Sequence, residues 1–144
     1  MLADKQIVST RVLAAPRERV FRAWTEPDHL TRWWGPKGFT STFEEFDPRP
    51  GGEWRFVLHA PNGADYKNKS VFVEVVKPER IVFQHVSGPR FQVTATFTEQ
   101  AGGTRLTFEM LFETAAECEK GKKYAIEANE QNLDRLEAEL ARMV

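Results

Sequence analysis

The stretch FQVTATFTEQAGGTRLTFEMLF, residues 91–112, decides the fold because both of its halves alternate between apolar and polar side chains. In residues 91–97 every second residue is apolar, and residues 105–112 repeat the pattern. Since successive side chains of a strand point to opposite faces, each half has one buried face and one solvated face. The AGG between the halves is a turn signal, so we predict two antiparallel strands with a shared apolar face.

Upstream of this pair, short runs with the same period are separated by turn residues. The predicted strands cover residues 40–46, 53–60, 66–76 and 81–86. Together with the pair they give six meandering strands, and residues 6–13 add a seventh near the start of the chain. A twisted sheet of this size curls rather than lies flat.

Two short helices are predicted between the first two strands. Residues 16–25 begin with a proline and carry an apolar stripe, and residues 27–34 restart the pattern at a second proline. In the second helix Leu30, Trp33 and Trp34 fall at i, i+3 and i+4, which predicts that both indoles border one apolar face. The following Gly-Pro ends the helix.

A long helix is predicted over residues 115–143, with one apolar seam at helical spacing. The members of this seam are Ile126, Asn129, Leu133, Leu136, Leu140 and Met143. Asn129 interrupts the seam, and a buried amide needs hydrogen-bond partners. We expect Asn129 either to face a cavity or to bond a neighbouring side chain.

The size and the charge of the chain limit the classes of protein to which it can belong. The chain has 144 residues, which predicts a single domain over residues 1–144. Its 20 Lys and Arg and 21 Asp and Glu leave a net charge of −1, which argues against binding to nucleic acid or to a membrane surface. One cysteine, Cys118, cannot form an internal disulfide, and no signal peptide or membrane span is evident, so we expect a cytoplasmic protein.

This order of elements predicts an α+β fold in which the curved sheet closes on the terminal helix. A single helix is narrower than a strongly curved sheet, so a space should stay open between the sheet, the long helix and the short helices. A concave space lined with aromatic rings is the usual form of a small-molecule site.

The sequence resembles the SRPBCC, or START-like, helix-grip superfamily. It is most similar to the branch of the C-terminal domain of the activator of the heat-shock protein 90 ATPase. The resemblance covers residues 10–142, and the stretches that carry it are VFRAWTEPDHLTRWWGPKGF, EFDPRPGGEWRF, VEVVKPERIVF, GGTRLTFEM and LDRLEAEL. It implies a curved antiparallel sheet of six to seven strands around an apolar cavity. It implies no common reaction, because members bind lipids, hormones or polyketides, or assist a chaperone.

The chain departs from the family pattern at two places. Many members carry Gly-Trp where this chain has Ala128 and Asn129. The loss of that ring should enlarge the cavity or change its polarity. A small residue, usually glycine, is common at the position of Ser70, and this change is minor.

We predict binding of a small hydrophobic or aromatic molecule in this cavity. The residues expected to line it are Trp33, Trp34, Phe39, Trp54, Phe56, His85, Phe108, Asn129 and Leu133. His85 and Asn129 would orient the ligand, and burial would favour the neutral form of His85. For Trp33, Trp34, Trp54 and Phe56 packing in the core is the alternative, and for His85 the alternative is a hydrogen-bonded or rim histidine near the end of its strand. We identify no catalytic residue, no metal-ligand spacing and no cofactor motif.

Two other functions stay open. An enzyme of the cyclase or dehydratase type would need His85 to converge with a carboxylate or tyrosine, such as Glu45 or Tyr66. A chaperone accessory, ranked last, would work through a surface. The ligand, any reaction, the pathway and the oligomeric state, a homodimer included, stay undetermined.

Overall fold

Seven antiparallel strands form one curved sheet in the order β1-β7-β6-β5-β4-β3-β2. The structure is a computed structural model that describes residues 2–143, so the predicted domain ends, Met1 and Val144, lie outside the described residues. After a short 3₁₀ turn (Leu2–Lys5), the elements are β1 (Gln6–Leu13), α1 (Arg17–Thr25), α2 (Pro27–Trp33), β2 (Thr40–Phe46), β3 (Glu53–His59), β4 (Asp65–Val76), β5 (Arg80–His85), β6 (Phe91–Gln100), β7 (Gly103–Phe112) and α3 (Ala115–Arg142). The predicted α+β class, with two short helices and a long terminal one, is confirmed.

The hairpin that was expected to decide the fold pairs β6 with β7 in full register, Val93 opposite Met110. Its tip has positive φ at Ala101 (46°) and Gly102 (82°). Two such residues in a two-residue loop form the turn whose twist matches the flanking strands. The apolar residues of both strands therefore face the same side of the sheet, where they join the hydrophobic core.

The end of α2 separates the two neighbouring tryptophans, which corrects the prediction that both belong to one helical face. The helix ends at Trp33, and Trp34 already has extended backbone (φ −74°, ψ 123°). Trp33 turns under α1 and donates its indole N–H to the carbonyl of Ala23 at 3.0 Å. Trp34 instead lies over the sheet, with its ring 4.9 Å from that of Trp54.

The long helix α3 begins at a capped end, where the Thr114 hydroxyl accepts the backbone N–H of Glu117 at 3.1 Å. Its apolar seam differs from the predicted one at the first position. Ile126 is 44% exposed, and Ala125 is buried in its place. The spacing from Ala125 to Asn129 and Leu133 is four residues, which keeps these side chains on one face of the helix. Within residues 2–143 no helix is both long and apolar enough to cross a membrane.

The C-terminal half of α3 is fixed by charged groups on both of its sides. On one side Arg11 of β1 lies 2.6–2.7 Å from three carboxylates of α3, those of Glu130, Asp134 and Glu137. On the other side the buried carboxylate of Glu139 lies 2.7 Å from His29 Nδ1 and 3.3 Å from Arg32. These contacts hold that half of the helix against β1 and α2.

Candidate ligand-binding cavity

A cavity of about 250 Å³ lies between α3 and the inner face of the sheet. Strands β3 to β7 form its floor, α3 forms its roof, and the segment after α2 closes one side. Most of its wall is apolar: Trp34, Pro36, Phe56, Leu58, Phe83, Phe91, Val93, Phe108, Met110, Phe112, Ala125 and Ala128. The exposed side chains of Pro89 and Tyr124 mark where the wall meets solvent.

The space exists because the roof residues are small. Gly121, Ala125 and Ala128 lie on the part of α3 that covers the cavity. One and two turns further along, Leu133 and Leu136 point inward and are almost fully buried. The floor carries large aromatic rings throughout, so the change of side-chain size along α3 opens one end of the interior.

Polar groups gather on the floor where β4 and β5 pair. Ser70 lies opposite His85 in the register, and Asn68 lies two residues earlier on the same face of β4. His85 Nδ1 is 2.8 Å from the carbonyl oxygen of Pro89, and Nε2 is 2.8 Å from Oδ1 of Asn68. The imidazole also stacks on the ring of Phe91, with centroids 4.5 Å apart. These contacts fix the orientation of the His85 ring.

Two influences act in opposite directions on the charge of His85. Burial lowers its pKa from 6.5, whereas the Pro89 carbonyl raises it by stabilising the charged ring. An oxygen at each ring nitrogen suits the doubly protonated ring, but desolvation is the larger effect, so we take the ring as neutral. A neutral ring donates from Nδ1 to Pro89, and the Asn68 amide must then turn to donate to Nε2. That rotation gives up the bond from Asn68 to the carbonyl of Tyr66.

The side wall after α2 is held by α3. Gly35 has a φ of 115°, a conformation that suits glycine, and its N–H donates to Oδ1 of Asn132 at 2.8 Å. Arg135 donates from Nη1 to the carbonyl oxygens of Gly35 (2.7 Å) and Pro36 (3.0 Å). Because Arg135 also donates from Nη2 to the carbonyl oxygen of Arg32 at 3.0 Å, the contacts of α3 flank Trp34 and help to determine where its ring enters the cavity wall.

Comparison with known protein families identifies the family of this chain. The profile described as "Activator of Hsp90 ATPase homolog 1-like protein" matches residues 14–141. The chain belongs to this family. The resemblance noted in the sequence is therefore confirmed. No functionally curated protein matches the chain.

Solved structures share the fold of this Hsp90 ATPase activator-like chain over almost its full length. A crystal structure of a Nitrosomonas europaea protein is 24% identical, has a TM-score of 0.91 and aligns over 100% of this chain and 99% of its own. A Mycobacterium smegmatis protein is 25% identical, with a TM-score of 0.84 over 96% and 91% of the two chains. A Chromobacterium violaceum protein is 28% identical, with a TM-score of 0.84 over 92% and 95%. At these sequence identities, the solved structures show the fold that this chain shares with them.

Five of the nine residues predicted to line the cavity do lie in its wall. They are Trp34, Phe56, His85, Phe108 and Asn129. Asn129 is buried, and its amide N–H donates to the sulfur of Met110 at 3.3 Å. Both alternatives considered for Asn129 thus hold at once, because it faces the cavity and bonds a neighbour. That these five residues contact a ligand stays a prediction.

The other four predicted residues lie elsewhere. Trp33 and Leu133 line a crevice beside the cavity that has no room for a water molecule. Trp54 is buried in the core outside the cavity wall, with its ring parallel to that of Phe72. Phe39 lies beside the exposed ring of Tyr66, with centroids 6.5 Å apart.

Several lining residues were missed by the sequence reasoning. Phe83 and Met110 had a usable signal, because they share the face of His85 and Phe108 along their strands. Asn68 and Ser70 had none, because their place depends on the register between β4 and β5. That register shifts between Phe72 and Glu74, and such an irregularity is not evident in the sequence.

The two residues named for the enzymatic alternative, Glu45 and Tyr66, do not line the cavity with His85. Glu45 follows a register shift in β2 and accepts a hydrogen bond from Arg55 at 2.8 Å on the exposed side. Tyr66 is 52% exposed. Among the described residues the cavity wall contains no carboxylate, and no group of three His, Cys, Asp or Glu side chains is placed to hold a metal.

Proposed function

We propose that this protein binds a small aromatic or otherwise apolar molecule in the cavity between the sheet and α3. The observation that carries the proposal is the apolar space of about 250 Å³ beside a core that is closely packed elsewhere. Enclosed spaces of this kind, with a few polar groups, are the usual small-molecule sites.

The size of the cavity suits a ligand of one or two rings. A dry protein cavity of about 150 Å³ holds benzene, so a space two thirds larger corresponds to about ten non-hydrogen atoms. The wall favours a flat molecule, because the rings of Trp34, Phe56 and Phe108 offer faces and edges to it. At about 0.7 kcal/mol per atom, ten atoms correspond to a Kd of about 10 µM.

Binding is favoured over catalysis by the composition of the wall. His85 is the one buried titratable side chain among the described lining residues, and Pro89 and Asn68 occupy both of its nitrogens. A general acid or base needs a free nitrogen within reach of a substrate proton. The same groups suit a ligand that is held but not transformed.

The proposal is tested by titrating the protein with naphthalene, a rigid apolar molecule of the right size, and recording two-dimensional NMR spectra. We expect saturable shifts for Val93, Met110 and Ala125, which line the cavity, and none for Leu13 and Leu106 in the packed core. Glucose, a polar molecule of similar size, is the control and should shift none of these signals. Absence of saturable shifts with naphthalene, indole and other aromatics of this size would contradict the proposal.

A further inference from the structure

Among the described polar residues of the cavity floor, Ser70 is the one whose side chain has no hydrogen-bond partner. The residue is 0% exposed and lines the cavity. Its hydroxyl oxygen has no hydrogen-bond partner among the described residues. Since almost all buried polar groups in proteins are paired, an unpaired hydroxyl in a cavity wall points to something that occupies the cavity.

The neighbours of Ser70 are already occupied. His85, opposite Ser70 on β5, is bonded to the Pro89 carbonyl and to the side chain of Asn68. A ligand that enters this end of the cavity therefore meets Ser70 as the group with a free hydrogen.

The other flank of Ser70 also lacks an acceptor. Trp54 lies opposite Ser70 on β3, and its indole N–H has no partner among the described residues. Because an indole N–H can only donate, Trp54 offers no acceptor for the hydrogen of the Ser70 hydroxyl. Trp54 itself does not line the cavity, so Ser70 is the group in reach.

The wall also constrains the charge of the ligand. No Lys, Arg, Asp or Glu is among the described lining residues. A carboxylate or ammonium group would leave water here without a counter-ion, which is strongly unfavourable. The hydrogen-bonding group of the ligand must therefore be neutral.

We infer that the cavity takes a neutral aromatic molecule with one oxygen, a phenol or an aryl ketone, whose oxygen accepts a hydrogen bond from Ser70 while its rings lie against the aromatic wall. This inference rests on the proposed function and adds the chemical class of the ligand and the residue that selects it.

The test compares naphthalene, 2-naphthol and 2-naphthoate, which share one ring system and differ in the head group. Binding is measured by calorimetry at about pH 7, where the naphthol is neutral and the naphthoate is charged. The variants are Ser70→Ala, which removes only the hydroxyl, and Ser9→Ala, a matched control at a buried serine of β1 outside the cavity. Circular dichroism checks that both variants fold.

We expect wild type to bind 2-naphthol more tightly than naphthalene, and 2-naphthoate most weakly. Ser70→Ala should weaken 2-naphthol by about fivefold to tenfold, the effect of one neutral hydrogen bond, and leave naphthalene unchanged. Ser9→Ala should change neither affinity.

The outcomes separate this inference from the proposed function. An equal loss of both ligands in Ser70→Ala, no loss of 2-naphthol, or tighter binding of 2-naphthoate would overturn the assignment of Ser70 while the cavity kept its function. Failure of wild type to bind any of the three would overturn the proposed function and this inference together.

Discussion

The two ends of the interior are built from the same sheet and the same helix, yet one is solid and the other is hollow. Under α1 and the C-terminal half of α3, Trp24 and Trp33 meet edge to face at 4.9 Å and leave no room for water. Under the preceding turns of α3, about 250 Å³ stays open. Curvature of the sheet alone therefore does not make the cavity. The side chains of the helix decide which end is filled.

The difference between the two ends also explains how the fold stays stable although part of its interior is open. An open apolar space of this size lowers the free energy of unfolding, because the side chains around it lose the contacts that a filled interior would give them. Small domains have only about 5–15 kcal/mol of stability in all. The packed end must therefore supply most of the free energy of folding, and a ligand that fills the open end should add to it.

The largest expected effect comes from removing Trp33, which belongs to the packed end. Trp33→Ala should lower the free energy of unfolding by about 3–5 kcal/mol, because it leaves a cavity where the ring was buried and its N–H was bonded. Trp34→Ala should cost about half as much, because the Trp34 ring already borders open space. Urea denaturation of the two variants measures both values.

This pair also tests where the boundary between the two ends lies. Trp34→Ala should weaken naphthalene binding, because the ring forms part of the wall. Trp33→Ala should leave binding close to wild type under conditions where it is folded. Equal losses of stability in the two variants would mean that the ring of Trp34 is as closely packed as that of Trp33.

A smaller effect is expected from filling the open end. Asn129→Trp places a large ring in the cavity wall and should raise the Kd for naphthalene at least tenfold, about 1.4 kcal/mol. The matched variant, Leu136→Trp, adds volume to the packed end, where overpacking costs about 1–3 kcal/mol of stability. Calorimetry and thermal unfolding measure the two effects. Undiminished binding by Asn129→Trp would show that the ligand site lies outside the cavity.

The sequence predicted the architecture well because each element carries its own periodic signal. The alternation in β6 and β7 and the seam from Asn129 to Leu140 are set by local geometry, and both are confirmed. The end of α2 was placed one residue too late, because Trp33 and Trp34 both fit a helical stripe. They are separated because the backbone of Trp34 is already extended.

The cavity wall was predicted less completely because it depends on distances across the sheet. Trp54 and Phe56 lie on the same face of β3, yet only Phe56 reaches the open space. The sequence gives the face of a residue but not how far along the strand the packed end extends. Ile126 was assigned to the seam for a related reason, since one residue of drift along a helix exchanges it for Ala125.

The smallest expected effect concerns His85, the buried titratable residue of the open end. Burial lowers its pKa in the folded protein below 6.5, so the unfolded chain binds a proton more readily as the pH falls through this value. The folded protein should therefore lose stability as the pH falls from about 7.5 to about 5.5, by at most about 1.4 kcal/mol over this whole range. Urea denaturation at both pH values should show a larger loss for wild type than for His85→Gln.

His59→Gln serves as the control for this measurement, because His59 lies outside the cavity wall and the variant keeps His85. The loss of stability that this variant shares with wild type does not involve His59. If wild type instead gained stability relative to His85→Gln as the pH fell, the oxygens of Pro89 and Asn68 would be holding a doubly protonated ring. The open end would then contain a buried positive charge, and we would expect it to prefer anionic ligands over neutral ones.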